Sequence, residues 1–214
     1  MLEPAIKGSI VKGAMDDLTR LRAEGRIQDS TLEARLTSTE LDILDWDINP
    51  AVWYPIPLYD KLLRLLCEVE GDGKDEYYVR RGRATARRLM EGGLYQQLAF
   101  LLRWTDDIQR GEEEEETLIQ KYRSKLKMVT SMAGSIYNTG RWEIETDSEH
   151  PRRVCIAIYD ARAYTDPMMR AIDGFLSECA VAARKDLARL HEAVRPSPDL
   201  ILFRMTRDII DLYS

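Results

Sequence analysis

Histidine is scarce in this chain, and the shortage limits the chemistry that the protein can perform. Two of the 214 residues are histidines: His150, in a turn beside Pro151, and His191, on a segment of mixed polarity. A serine or cysteine nucleophile needs a base beside it, and histidine is the usual one. No Gly-x-Ser-x-Gly elbow accompanies either residue. We therefore predict that the protein is not an enzyme, and we expect both histidines at the surface.

Cysteine clusters and metal-binding motifs are also missing. The three cysteines, Cys67, Cys155 and Cys179, lie far apart and form no Cys-x-x-Cys pair, which is typical of a reducing compartment. Residues 71–76 lack the alternating carboxylates of a calcium loop and the spacing of a phosphate loop. The glutamate run at residues 112–116 is expected at the start of a helix, where the helix dipole favours anions. We expect no metal and no cofactor.

Long apolar runs and an excess of positive charge are lacking too. No apolar run approaches the roughly 20 residues of a membrane span, and residues 1–10 show no signal-peptide pattern. These two absences predict a cytoplasmic protein with no membrane span. The 37 acidic residues outnumber the 31 lysines and arginines, giving a net charge of −6. This balance argues against nucleic-acid binding, which requires a basic surface.

The chain does contain a clear change from helical to extended periodicity near Gly134. Apolar residues recur at spacings of three and four before it, and alternation follows it. The predicted helices cover residues 5–22, 39–45, 58–70, 75–90, 94–107, 112–132 and 166–184, and the predicted strands cover residues 141–145, 154–159, 187–194 and 200–206. We predict one α+β domain, residues 1–214, whose helical part (about 1–133) packs on an antiparallel sheet of ββαββ order (about 134–214).

One predicted helix carries a stripe of arginines. Arg80, Arg83 and Arg87 share a helix face, and Arg81 and Arg88 lie beside it. Arginine is suited to bidentate contact with carboxylate or phosphate groups. The stripe is therefore a candidate dock for an acidic protein partner or an anionic ligand. The alternative is that these arginines pair with acidic residues of the chain itself, as exposed arginines commonly do.

Aromatic residues concentrate in and after a proline-rich segment. Trp53 and Tyr54 lie between prolines, and Tyr59 follows in the next helix. An aromatic segment fixed by prolines is suited to line an apolar pocket, because tyrosine and tryptophan add polar groups to a large apolar surface. Anchoring of the loop to the core by Trp53 is the alternative interpretation.

Four short motifs occur in an order that resembles a known family. They are residues 6–12 (Ile-Lys-Gly-Ser-Ile-Val-Lys), Trp53-Tyr-Pro-x-x-x-Tyr59, residues 135–145 with Tyr137 and Trp142, and residues 172–176 (Ile-Asp-Gly-Phe-Leu). Together they resemble a paralogous family that is abundant in myxobacteria and has no assigned function. That family is similar in organisation to the haem–nitric-oxide-binding domain, the 4-vinyl-reductase-type ligand-binding domain and the Bet3-like subunits of transport particles. The resemblance implies the order of helices and strands predicted above.

The residues that such relatives use for haem are missing here. A haem-binding member would need a histidine in its helical half, and no histidine precedes His150. It would also need a Tyr-x-Ser-x-Arg motif, and residues 122–126 (Tyr-Arg-Ser-Lys-Leu) have no arginine at the required place. Residues 195–199 stand where 4-vinyl-reductase-type domains often carry cysteines. The resemblance therefore implies a scaffold that binds a small molecule or a protein, without haem.

Two functions agree with these observations. The leading hypothesis is a non-enzymatic adaptor in cytoplasmic signalling, a homodimer that docks protein partners, for example a small GTPase. The alternative is a sensor that binds a small apolar ligand between helices and sheet. It predicts a closed cavity of a few hundred Å³, roughly the usual size of a ligand site, near Trp53, Tyr54, Tyr59, Tyr137 and Trp142.

Overall fold

The computed structural model describes residues 3–44, 47–91, 115–183 and 190–212. The helices are α1 (Gly8–Ala23), α2 (Asp29–Arg35), α3 (Ser38–Leu44), α4 (Ile56–Glu70), α5 (Glu76–Glu91), α6 (Glu115–Ile136) and α7 (Asp166–Ala183). The strands are β1 (Ala5–Lys7), β2 (Trp53–Pro55), β3 (Arg141–Thr146), β4 (Val154–Tyr159), β5 (His191–Ser197) and β6 (Leu200–Met205). Short 3₁₀ turns cover Ala161–Ala163 and Ile210–Leu212. The α+β class predicted from periodicity is confirmed.

The C-terminal part has the predicted ββαββ order. Its strands pair in the order β3, β4, β6, β5, and each neighbouring pair is antiparallel. Ile156 lies opposite Phe203 and Ile158 lies opposite Ile201, and all four side chains are fully buried. They belong to the same hydrophobic core as the buried residues of α1, α4, α5 and α7. The helical part therefore packs on one face of the sheet, as predicted.

Helix α4 is at the centre of the helical part. It begins at Ile56, two residues before the predicted start, and Pro57 lies in its first turn, where a missing N–H is not needed. Leu62, Leu63 and Leu66 are fully buried, so the helix is enclosed on more than one side. None of the described helices is both long and apolar enough to span a bilayer.

Helices α5 and α7 approach each other backbone to backbone. A Cβ atom at Gly82 would overlap the carbonyl oxygen of Ala171, and one at Gly174 would overlap the carbonyl oxygen of Val79. Glycine has no Cβ and is the residue that permits such an approach. The two glycines cost helix propensity, by about 1 kcal/mol each relative to alanine, and here that loss allows the closest helix packing in the described core.

The prediction of a helix from residue 5 is wrong for its first three residues. Residues 5–7 form β1, which pairs with β2 on one side and meets Tyr137 through a bridge at Ile6 on the other. The Ala5 N–H donates to Asn138 Oδ1 at 2.6 Å, and the Asn138 N–H donates to the Ala5 carbonyl at 3.1 Å. These partners lie far along the chain, so local spacing could not reveal the strand.

The prediction that both histidines lie at the surface is wrong for His191. Its side chain is 3% exposed and lies opposite Met205 in the β5–β6 pair. Neither ring nitrogen has a hydrogen-bond partner among the described residues. A second hydrophobic cluster surrounds this end of the sheet and includes Tyr122, Val154 and Ile209. A polar side chain therefore lies in apolar surroundings, which costs free energy.

Some predictions fall on residues outside the described parts. These are the helix over residues 94–107, residues 112–114 of the glutamate run, and residues 187–189 of the predicted strand. Within the described part, that strand begins at His191 and continues to Ser197, past the predicted end at residue 194. Helix α6 extends to Ile136, four residues beyond the predicted end.

We expect Gly82→Ala to lower the free energy of unfolding by about 3 kcal/mol, because the new methyl must push α5 away from α7. The control is Gly134→Ala in α6, where a Cβ would meet nothing within 4 Å. That substitution should stabilise by up to about 1 kcal/mol through helix propensity. Urea unfolding of both variants measures the two effects. Equal stability of the two variants would contradict the backbone contact between α5 and α7.

Acid should destabilise the protein through His191. Burial lowers the pKa of His191 from 6.5 to about 4, whereas the unfolded chain keeps the ordinary value of about 6.5. Between these values the unfolded state binds more protons, so stability is lost as pH falls, by on the order of 3 kcal/mol near pH 4. His191→Leu should remove this component, and the exposed His150→Gln should retain it. Unfolding midpoints from pH 7 to pH 4 test the prediction, which fails if the wild type and His191→Leu change in parallel.

Candidate functional site

An apolar cleft lies where α1, α4, α5, α6, α7 and β3 meet, between the helices and the sheet. We call it the aromatic cleft. Its lining includes Ile10, Tyr59, Thr85, Met132, Ala133, Tyr137, Trp142, Met168 and Phe175. Each element contributes a residue of its inward face, so the cleft follows from the packing of the six elements. Its lining contains no acidic or basic side chain.

The indole ring of Trp142 is fixed by two stacking contacts and one hydrogen bond. It stacks on Tyr137 at a centroid distance of 5.9 Å and on Phe203 at 6.5 Å. Its Nε1–H donates to the Tyr164 hydroxyl at 3.1 Å, and that hydroxyl donates to the Thr139 carbonyl at 2.7 Å. Burial raises the pKa of Tyr164, so this phenol stays protonated and can donate. The wall formed by Trp142 is therefore preorganised.

The polar groups of the cleft lining are neutral hydroxyls. Tyr59 on α4 is buried, and burial raises its pKa, with a smaller opposing effect from Arg81 and Arg88. Thr85 on α5 and Tyr137 at the end of α6 supply two more hydroxyl groups. Such a lining can hold an apolar molecule and form a hydrogen bond to it.

The structure brings together three of the five aromatic residues predicted from the sequence. Tyr59, Tyr137 and Trp142 line the cleft. Tyr54 lies outside it, half-buried against the core, and its hydroxyl accepts a hydrogen bond from the Asn49 N–H at 3.2 Å. Trp53 is 38% exposed, with the Lys7 ammonium 4.2 Å from its ring centroid. The interpretation of Trp53 as a core anchor is therefore wrong, and it does not line the cleft.

Sequence reasoning missed the role of several cleft residues. Met168, Ile172 and Phe175 were recognisable as the inward face of α7 from their helical spacing, but that pattern does not distinguish a cavity wall from solid core. Tyr164, which orients Trp142, gives no local signal. Tyr164 meets Trp142 because β3 pairs with β4 and Tyr164 lies just after the turn that follows β4.

The cleft is smaller than the sensor hypothesis predicted. Its volume is about 40 Å³ and it is partly open to solvent, whereas the prediction was a closed cavity of a few hundred Å³. For comparison, an engineered apolar cavity of about 150 Å³ binds benzene. The site is therefore neither a solid core nor a ready-made cavity, and a ligand larger than a few atoms requires its walls to move.

The three arginines predicted as a partner dock do not act as one free stripe. The Arg87 guanidinium donates to Glu178 of α7 through Nε at 2.5 Å and through Nη2 at 3.0 Å. Arg83 is half-buried and Arg80 is exposed. The neighbouring Arg81 is buried, and its Nη1 lies 2.8 Å from Asp17 of α1. Pairing within the chain therefore accounts for Arg87 and Arg81, in line with the alternative interpretation.

Two solved structures are similar to this chain. The first comes from work on modulating heme redox potential through protein-induced porphyrin distortion; it is 12% identical, with a TM-score of 0.50, over 94% of this chain and 99% of that one. The second comes from work on heme distortion in the H-NOX family; it is 11% identical, with a TM-score of 0.49, over 95% and 96% of the two chains. At this identity the first similarity establishes the fold alone. It confirms the related fold that the sequence resemblance implied.

Sequence comparison adds no further assignment. No protein-family model matches the chain, and no characterised protein matches it.

The residues of the cleft do not fit a haem. Its lining has no histidine or cysteine, and His191 lies in the second hydrophobic cluster, at the other end of the sheet from Trp142. Tyrosine and methionine can ligate haem iron in other proteins, but a porphyrin is far larger than the 40 Å³ that the cleft provides. We therefore derive no haem chemistry for this protein.

Replacing Tyr164 with phenylalanine tests the support of Trp142. The change leaves the Trp142 Nε1–H and the Thr139 carbonyl without their partner, so we expect a loss of about 1–3 kcal/mol in the free energy of unfolding. The Trp142 emission should also change, because its hydrogen bond is lost. Tyr159→Phe is the control, since its hydroxyl donates to the half-buried Glu145 and makes no contact with Trp142 among those described. A variant as stable as the wild type, with an unchanged spectrum, would show that this hydrogen bond is dispensable.

Proposed function

We propose that the protein is a sensor-type domain that binds a small apolar molecule in the aromatic cleft, without haem. The observation that carries the proposal is the meeting of Tyr59, Tyr137 and Trp142 in one uncharged cleft between helices and sheet. The fold likeness agrees with it. This was the alternative hypothesis from the sequence, and the position of the cleft supports it over the adaptor hypothesis.

The lining indicates the chemistry of the ligand. Trp142 and Phe175 provide aromatic surface, and Met132 and Met168 provide flexible thioether side chains that adapt to irregular shapes. The Tyr59 hydroxyl, kept neutral by burial, can form one hydrogen bond. A neutral aromatic compound with a single polar group satisfies these contacts. A charged ligand would lose its hydration without gaining an opposite charge.

Binding requires the cleft to widen, and the structure indicates where. The α5–α7 wall is held by backbone contact at Gly82 and Gly174. The α6 wall is formed by Met132 and Ala133; the Met132 side chain can change rotamer, and both residues can move with the helix. We infer that α6 moves away from α7 when the ligand binds. Displacement of a surface helix is a common way for sensors to report occupancy.

The adaptor hypothesis has weaker support. Arg87 is bound to Glu178, so docking of a small GTPase or another acidic partner through Arg80, Arg83 and Arg87 would first have to break this ion pair. Homodimerisation, the cytoplasmic location, the lack of enzymatic activity and membership of the paralogous family stay predictions from the sequence.

Native mass spectrometry of the protein isolated from its own cells is the direct test. A small neutral mass bound at one per chain is the expected result. Release of that mass on denaturation, followed by its identification, would define the ligand. The proposal loses its basis if the protein carries nothing and calorimetry detects no saturable binding of small aromatic compounds such as indole.

Filling the cleft should prevent binding. Ala133 is buried in the lining and Ser131 is exposed on the same helix, so Ala133→Leu and Ser131→Leu add bulk to opposite sides of α6. We expect Ala133→Leu to weaken binding of the co-purifying compound at least tenfold, about 1.4 kcal/mol, and Ser131→Leu to leave it unchanged. Isothermal titration calorimetry on ligand-free protein measures both. Equal affinities would place the ligand elsewhere.

A further inference from the structure

A second concave site lies on the side of α5 away from α7. It is an open groove of about 400 Å³ between α1 and α5, closed at one end by the last residue of α4. Its polar lining consists of Asp17, Glu70, Tyr77, Arg80, Arg81 and Arg88. We call it the arginine groove. It shares no residue with the aromatic cleft, and the proposed function makes no use of it.

Positive charge exceeds negative charge in this groove. Asp17 is approached by Arg81 at 2.8 Å, by Arg88 at 3.7 Å and by Arg20, at the groove edge, at 3.8 Å. Arg20 is closer to Glu70 and to Glu24, at 3.1 Å, so Asp17 is left to pair with Arg81 and Arg88. Glu70, the other carboxylate of the lining, is already held by Arg20 at 2.6 Å. The lining keeps unneutralised arginine charge although the whole chain has a net charge of −6.

The arginine groove contains a buried and hydrogen-bonded arginine, Arg81, so it is more than a group of surface arginines. Its side chain is 6% exposed, and Nη1 donates to Asp17 at 2.8 Å and to the Tyr77 hydroxyl at 3.3 Å. The Tyr77 hydroxyl donates in turn to Glu70 at 2.9 Å. The Nε–H of Arg81 is buried and has no acceptor among the described residues. A buried guanidinium that is short of acceptors is costly, and its positive charge would be offset in part by an oxyanion in the groove that Arg81 lines.

The exposed arginines flank a gap on α5. Arg80 and Arg88 are eight residues apart, about 12 Å along the helix axis, and Ala84 lies between them in the lining. The short alanine side chain leaves space above the helix. Both side chains are exposed. Arg88 Nη1 lies 3.5 Å from the Gly13 carbonyl oxygen and 3.7 Å from Asp17, and it would exchange these long contacts for an anion in that space. Arginine matches the geometry of phosphate and carboxylate oxygens with paired N–H donors.

We propose that the arginine groove binds a small, doubly charged oxyanion, with a phosphate monoester as the ligand class. Arg80 and Arg88 contact the anion from the two ends of the gap, and Arg81 supplies fixed positive charge from below. A long polyanion is disfavoured, because the chain as a whole is acidic and repels extended negative charge. A compact dianion experiences the local excess of arginine without that repulsion.

Titration with inorganic phosphate, followed by isothermal calorimetry at constant ionic strength, tests the proposal. The groove variant is Arg80→Ala/Arg88→Ala. The matched control is Arg152→Ala/Arg162→Ala, which removes two exposed arginines that pair elsewhere, with Glu115 and Asp199. Both variants change the net charge equally, so a difference between them reports the site. Circular dichroism checks folding, and Arg80→Ala alone replaces the double variant if the latter does not fold.

We expect saturable binding of one phosphate per chain to the wild type and the control, and binding weaker by roughly tenfold or more in the groove variant. In a proton–nitrogen correlation NMR spectrum, the Arg81 Nε–H signal should shift when phosphate is titrated into the wild-type protein. The proposal would be overturned if the wild type did not bind phosphate or if the groove variant bound it as tightly as the wild type. It would also be overturned if both variants lost binding equally. Succinate at the same ionic strength separates phosphate chemistry from general dianion binding, since the proposal requires phosphate to bind more tightly.

Discussion

The backbone contact between α5 and α7 is the constraint on which the rest of the structure depends. Gly82 and Gly174 let each helix press against a carbonyl oxygen of the other. The same approach places Thr85 and Phe175 on neighbouring sides of the aromatic cleft and brings Arg87 to Glu178. Because α7 follows β4 directly and leads to β5, the contact also ties the helical part to the sheet. The lack of a Cβ atom at Gly82 and Gly174 thus fixes the position of the helical part relative to the sheet.

Helix α5 separates two sites of opposite character. One side meets the uncharged aromatic cleft through Gly82 and Thr85, and the adjoining side presents Arg80, Arg81 and Arg88 to the arginine groove. The buried Arg81 is close enough to Tyr59 for its charge to lower the pKa of that phenol, against the larger effect of burial. Residues of one helix therefore affect the Tyr59 hydroxyl in the cleft and supply the positive charge of the groove.

Periodicity was sufficient to predict the fold class, the ββαββ order and most helix ranges, because these depend on which face of an element is apolar. Three cleft residues came from other features of the sequence: Tyr59 from the aromatic segment after the prolines, and Tyr137 and Trp142 from the motif over residues 135–145. Periodicity could not place Trp53, because this residue lies in β2, which pairs with the distant strand β1. Nor could it reveal the burial of His191, because that requires the cluster formed by α6, β4 and the C-terminal turn. Contacts between distant segments decide each of these cases.

Strand β1 has a consequence for how the chain folds during synthesis. Residues 3–6 are held by residues 137 and 138 through the Ile6 bridge and the three hydrogen bonds of Asn138. The first strand therefore cannot complete its pairing until about two thirds of the chain has left the ribosome, and such long-range closure slows folding. Until then β1 can pair only with β2, and α1 can pack on α4, because both of these elements precede residue 71. The N-terminal segment is thus closed on its β2 side early in synthesis and on its other side only late.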